Sequence, residues 1–271
     1  DFLESRNYQP GDDIRNMDWR VTARTGEAHT KVFREERERP VLLWLDLGPS
    51  MMFATRNKFK AVMASEIATL IAWSAARNND RIGSLIFSGG EHVEIKPRRG
   101  KTAVLDFIGR CTKHHAWDLH KNTQALTSEL TSAVTRLNAV KQPGSLIFMI
   151  SDFHNLEDRA YSHIANLSRN NDIIMIRITD PFETSLPSSG SYRLTDGINE
   201  LQIHTTSKKT RDEYHQRYLR QQQHLEKFSR QHRIHLINIS TRDNCIEQLK
   251  NGLGIRGQGN KAQYRAAHHS K

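Results

Sequence analysis

Long hydrophobic runs are missing from this chain. No stretch approaches the roughly 18 consecutive apolar residues that a membrane-spanning helix needs. The most apolar helical stretch, residues 61–76, is interrupted by Ser65, Glu66 and Thr69. The chain opens on Asp1 in mid-pattern without a charged-then-apolar leader, and it reads as a soluble fragment whose natural start has been removed. Cysteine is scarce as well. Cys111 and Cys245 are the only two, they lack metal-ligand spacing, and they exclude a disulfide framework, which points to a reducing cytoplasm. A phosphate-binding loop is absent: "RRGKT", Arg98 to Thr102, ends like one, but Ile95 stands where the first glycine belongs. ATP binding by this chain is therefore not expected.

Other catalytic patterns fail in the same way. His114, His115 and His120 in "KHHAWDLH" have no helical spacing and no nearby cysteine, so they read as a solvated loop rather than a zinc site. Position 48 is glycine, so Asp46 has no Asp-x-Asp partner to serve as the general acid of a phosphotransferase. Ser50 has no evident histidine base. The formal net charge of +10 permits acidic partners. The basic residues are nevertheless scattered and alternate with acids, as in "KVFREERERP", so a solvated surface is favoured over a nucleic-acid interface. Hydrophobic residues make up 37% and mean hydropathy is -0.67, a combination that leaves an adequate core under a heavily polar surface.

What is present is an alternation of apolar strands and amphipathic helices from residue 41 onward. "PVLLWLDL", "RIGSLIFSG", "GSLIFMISDF", "DIIMIRITD" and "RIHLINIS" read as strands, and "HVEIKPR" as a short one stopped by Pro97. Helical spacing recurs in "KFKAVMASEIATLIAWSAARNN", "KTAVLDFIGRCT", "TQALTSELTSAVTRLNAV", "LEDRAYSHIANLSRN", residues 208–231 and "NCIEQLKNGL". Near-continuous apolar strands separated by helices predict a doubly wound, mostly parallel α/β sheet covered on both faces. Residues 39–254 form this domain. A hairpin insertion at about 190–205 turns at Asp196-Gly197. Residues 1–38 are a separate lead-in expected to pack on the main domain, with Trp19 buried as its anchor, and 255–271 is an expected disordered basic tail.

The chemistry-bearing signal is "VLLWLDLGPSMMF". A buried strand has no structural need for a carboxylate, yet this one ends on Asp46, followed by Gly48, Pro49 and Ser50. Asp152 ends a later strand in the same manner. In open α/β sheets the carboxyl ends of the strands face the ligand crevice, where oxygen donors suit a hard cation such as Mg²⁺. The alternative for each aspartate is a helix cap.

These residues carry a resemblance. Asp46-Leu47-Gly48-Pro49-Ser50 resembles the Asp-x-Ser-x-Ser metal-ion-dependent adhesion motif of von Willebrand factor A domains. The lead-in "YQPGDDIRNMDWRVTAR", Tyr8 to Arg24, resembles the signature that precedes such a domain in the bacterial DUF58 family. The resemblance implies a von Willebrand A fold binding one divalent cation, Mg²⁺ or Mn²⁺, through Asp46, Ser50, Thr123 and Asp152, with Thr127 as the alternative threonine. Gly48 removes one usual hydroxyl and weakens the expected site. It further implies a non-enzymatic protein-interaction module acting with a MoxR-type AAA+ ATPase and its client. The competing reading is a metal-assisted hydrolase or phosphatase using Asp46 and Asp152.

Overall fold

A computed structural model describes residues 2–33, 39–118, 129–154, 156–187, 190–195 and 200–254. The chain divides into two compact units, Asp1–Glu38 and Arg39–Lys271.

In the first unit, β1 (Phe2–Asn7) pairs antiparallel with β2 (His29–Phe33) around the short helix α1 (Trp19–Thr25). The acidic residues of the lead-in hold its turns. Asp12 accepts from the Arg6 guanidinium at 2.7 Å and from the Gln9 amide at 2.9 Å, and Asp18 caps α1 by accepting from the Val21 amide. Gly26 closes the helix at φ 78°, a left-handed position that glycine reaches without strain. Trp19 is the first residue of α1.

The second unit is built on a six-stranded sheet. Its elements are β3 (Val41–Asp46), α2 (Lys60–Arg77), β4 (Arg81–Ser88), β5 (Glu91–Arg99), α3 (Lys101–Thr112), α4 (Glu129–Val140), β6 (Leu146–Ser151), α5 (Asp158–Leu167), β7 (Asp172–Thr179), α6 (Pro181–Thr184), β8 (Ser191–Thr195), β9 (Glu200–His204), α7 (Lys208–Gln231), β10 (His235–Ser240) and α8 (Cys245–Gly252). Sheet order is β10-β7-β6-β3-β4-β5, parallel except for the β5 edge. β8 and β9 form a separate antiparallel pair, and the Asp196-Gly197 turn between them lies outside the described residues.

Strand alternation sorts the core into two layers. Val41, Leu43 and Leu45 of β3 face one buried cluster with α2, while Leu42 and Trp44 face the other with α4, α5 and α7. The chain is thus doubly wound, as the near-continuous apolar strands predict.

Pro97 does not stop β5, which runs through it to Arg99. The strand lies at the antiparallel edge, where a missing N–H is tolerated, and the pairing with β4 shifts register there. Gly83 makes that close approach possible. A Cβ at this position would meet the Ile95 carbonyl oxygen at 2.9 Å and Leu42 Cδ2 at 2.9 Å. The expected helix over 123–140 is seen as Glu129–Val140; its first residues and the expected tail 255–271 lie outside the described residues.

Candidate functional site at the carboxyl edge of the sheet

β3 sits inside the sheet with β4 on one side and β6 on the other, so the chain leaves its carboxyl end at a topological switch point. In register with the pair Leu45–Ile150, Asp46 comes beside Ser151, and Asp152 follows as the next residue. The fold therefore brings Asp46 and Asp152 together, as their positions at strand ends predict. Ser50 joins them from the turn Pro49–Met52, which starts directly after Gly48. Thr123 and the alternative Thr127 lie outside the described residues.

The two carboxylates are held by different donors. Asp46 Oδ1 accepts from the Gly48 amide at 2.7 Å, and its Oδ2 accepts from the Ser151 hydroxyl at 2.6 Å. Asp152 Oδ1 accepts from the His154 amide at 2.8 Å, while its Oδ2 accepts from the Lys60 ammonium at 2.7 Å. Lys60 is 0% exposed and also donates to Glu183. It opens α2 and lies on the same buried stripe as Ala64, Ile67, Ile71 and Ala75.

Electrostatics follow from this geometry. Burial pulls the Lys60 ammonium down, but Asp152 and Glu183 outweigh it and hold the group above its ordinary value. Burial likewise pushes Asp152 up, yet Lys60, the His154 amide and Ser50 together leave it below the usual carboxylate range. Asp46 has no cation of its own. Burial, and then the Asp152 charge, push it up to about 7 against the Ser151 and Gly48 hydrogen bonds. Glu129, at the start of α4, also adds to this rise, and its own carboxyl is raised by burial.

The described residues fit a divalent cation poorly: the Lys60 ammonium stands 2.7 Å from Asp152 Oδ2, and at ligand distances of about 2 Å an ion on that oxygen would lie against a fixed positive charge. Position 48 contributes no hydroxyl. Its φ is −61°, so the backbone would admit serine, but a Cβ there would stand 2.9 Å from Asp46 Oδ1. Among the described residues no three His, Cys, Asp or Glu side chains group to hold a metal ion.

Sequence reasoning passed over Lys60, Glu183, Ser151 and Arg177. Two signals were available: a lysine on the apolar stripe of α2, and an arginine inside the otherwise apolar "DIIMIRIT". Asp180 was passed over too. Fully buried, it accepts from the Thr55 hydroxyl at 2.6 Å, the Thr55 amide at 3.1 Å, the Thr241 hydroxyl at 2.9 Å and the Phe182 amide at 3.0 Å. It ties three loops of this edge together and, with Glu183, forms the capping box of α6. That box is what presents Glu183 to Lys60.

Fold and edge together define a von Willebrand factor A-like α/β domain in which Asp152 and Glu183, from the loops after β6 and β7, hold an internal lysine. Its architecture is similar to that of an aerotolerance-related membrane protein from Bacteroides fragilis, with TM-score 0.53, 16% identity, and 80% of this chain and 97% of that one covered. BatB from Bacteroides thetaiotaomicron is similar at TM-score 0.52 and 14% identity, with the same coverage. In sequence, the chain is 28% identical over 196 residues to the uncharacterized proteins Rv1480 of Mycobacterium tuberculosis and Mb1516 of Mycobacterium bovis. That alignment covers 71% of this chain and 59% of each relative, so the chain spans somewhat under two thirds of their length. The chain belongs to the DUF58 family, described as a protein of unknown function, which matches residues 4–224. Among the described residues no helix is long and apolar enough to cross a membrane.

Proposed function

We propose that this chain is a non-catalytic, cytoplasmic protein-interaction module that recognises its partner at the carboxyl edge of the sheet. In this reading it acts with a MoxR-type AAA+ ATPase in chaperone-like maturation or assembly of a client. The observation that carries it is the buried Lys60 between Asp152 and Glu183. An ammonium built into the core supplies the positive charge that a metal supplies in a complete adhesion loop. The edge is therefore organised without an exchangeable ion, and Mg²⁺ or Mn²⁺ is not needed for it.

The hydrolase reading finds less support. Asp152 is neutralised by Lys60, Asp46 has both oxygens occupied, and Ser50 turns toward Asp152 rather than toward a histidine base. The test uses the purified chain and a MoxR-type ATPase from the same organism. Size-exclusion chromatography should give a defined complex, and a generic phosphatase substrate with Mg²⁺ or Mn²⁺ should not turn over. Turnover that disappears in both Asp46→Ala and Asp152→Ala would favour the hydrolase instead.

A further inference from the structure

Arg177 is the least explained charge in the protein. It lies on β7 in the run Ile-Ile-Met-Ile-Arg-Ile-Thr, and strand alternation places it on the same face as Ile173 and Met175. It is only 7% exposed. Its register partners are Ser151 on β6 and Asn238 on β10, and neither carries a charge. The guanidinium carbon rests 4.9 Å from the centre of the Tyr218 ring on α7. The Tyr161 hydroxyl also lies within electrostatic reach of the charge, yet among the described residues no acceptor takes a hydrogen bond from the buried Nε. A ring face offsets part of the charge but accepts none of the five N–H donors in its fork. Burying such a group without acceptors is costly.

The fork opens on space. Arg177 lines two adjoining clefts of about 270 Å³ each, which share Asp152, His154 and Gln221 as walls. The carboxylates nearby do not balance it. Asp152 and Glu183 are both engaged by Lys60, and Asp158 is exposed at the start of α5 and forms no ion pair with it. Arg217, exposed on α7, adds a second positive charge to the rim.

We propose that Arg177 is the floor of a carboxylate-binding cleft that takes an acidic side chain of a partner protein. The inference rests on the interaction-module reading and names the chemistry of its contact. Three features select this ligand. A planar fork with unused donors matches a carboxylate in bidentate geometry. Each cleft, at about 270 Å³, has room for an acidic side chain beside the guanidinium. With Asp152, Glu183 and Asp158 around the opening, a monoanion is tolerated better than a doubly charged phosphate.

The test follows the Arg177 Nε–H resonance by NMR in the full chain, assigned by its loss in Arg177→Met. Four capped tripeptides are titrated: acetyl-Gly-Glu-Gly-amide, its glutamine counterpart, its phosphoserine counterpart, and acetyl-Gly-Gly-Gly with a free carboxyl end. Expected is a saturable shift with the glutamate peptide at an affinity at least tenfold above the glutamine peptide, and a weaker response to the free chain end. Arg177→Met should unfold at the same or a higher temperature than wild type, since a site kept for binding is not kept for stability. Equal responses to glutamate and glutamine would overturn the proposal, as would a preference for phosphoserine. So would a lowered unfolding temperature in Arg177→Met with no saturable shift in wild type, which would make the guanidinium a packing group for Tyr218. A shift without an ATPase complex leaves the cleft standing and defeats the partner assignment; a complex that persists without any shift does the reverse.

Discussion

Lys60→Met removes the internal cation while keeping a side chain of similar length on the α2 stripe. Asp152 then stays buried with the His154 amide but without the ammonium at 2.7 Å. Glu183 is partly solvated, so most of the loss falls on Asp152. At an effective dielectric of 20, two charges about 4 Å apart interact by about 4 kcal/mol. Breaking a buried pair from one side costs about 3–5 kcal/mol. The expected loss is therefore about 3–5 kcal/mol, or a fall in unfolding temperature of roughly 6–20 °C for a domain of this size. Urea denaturation followed by circular dichroism measures it. The double variant Lys60→Met/Asp152→Asn supplies the decisive arm. Neutralising the orphaned carboxylate should recover most of the loss, with a coupling of about 2 kcal/mol or more. A single-variant cost below about 1 kcal/mol would refute the reasoning, as would a double variant no more stable than Lys60→Met. The pair would then be solvated in practice and could not serve as the edge's fixed charge.

Three further outcomes follow from the same structure. Mg²⁺ or Mn²⁺ should leave the unfolding temperature of wild type unchanged, and Gly48→Ser should destabilise by about 1–2 kcal/mol by crowding Asp46 Oδ1. A metal-linked rise scaling as RT ln(1 + [L]/Kd), abolished by Asp46→Ala, would restore the adhesion-type metal site. Asp180→Ala should cost about 3 kcal/mol or more by stranding the Thr55 and Thr241 hydroxyls and uncapping α6, with Asp180→Asn milder; the urea midpoint reports both. His114 is buried beside His115 and Glu91, and burial foremost lowers its pKa to about 4 from 6.5. The unfolded chain thus binds the extra proton between these values, so this stability is present above pH 6.5 and is lost as pH falls toward 4. At 1.36 kcal/mol per unit that is at most about 3 kcal/mol, and His114→Gln should flatten this limb of a stability–pH profile.

The fold was legible in sequence because its signals are local. Strand runs such as "VLLWLDL" and stripes such as Ala64, Ile67, Ile71 and Ala75 reveal burial by period alone, and burial on both faces implies a parallel sheet with helices on each side. The placement of Asp46 and Asp152 was legible for the same reason, since each ends an apolar run and strand ends converge at one edge. Pro97 was misread because its tolerance depends on being at the sheet's edge, which is a property of strand order and not of the strand. The charge of the site was decided only in three dimensions. Lys60, Asp152 and Glu183 are separated by 92 and 123 residues along the chain, and no spacing rule links them. Whether Asp152 awaits a metal or already holds a cation depends on which side chain the packing of α2 delivers to it. An aspartate at a strand end is a matter of sequence; its counter-ion is a matter of tertiary structure, because Coulomb energies fall with distance through space and not along the chain.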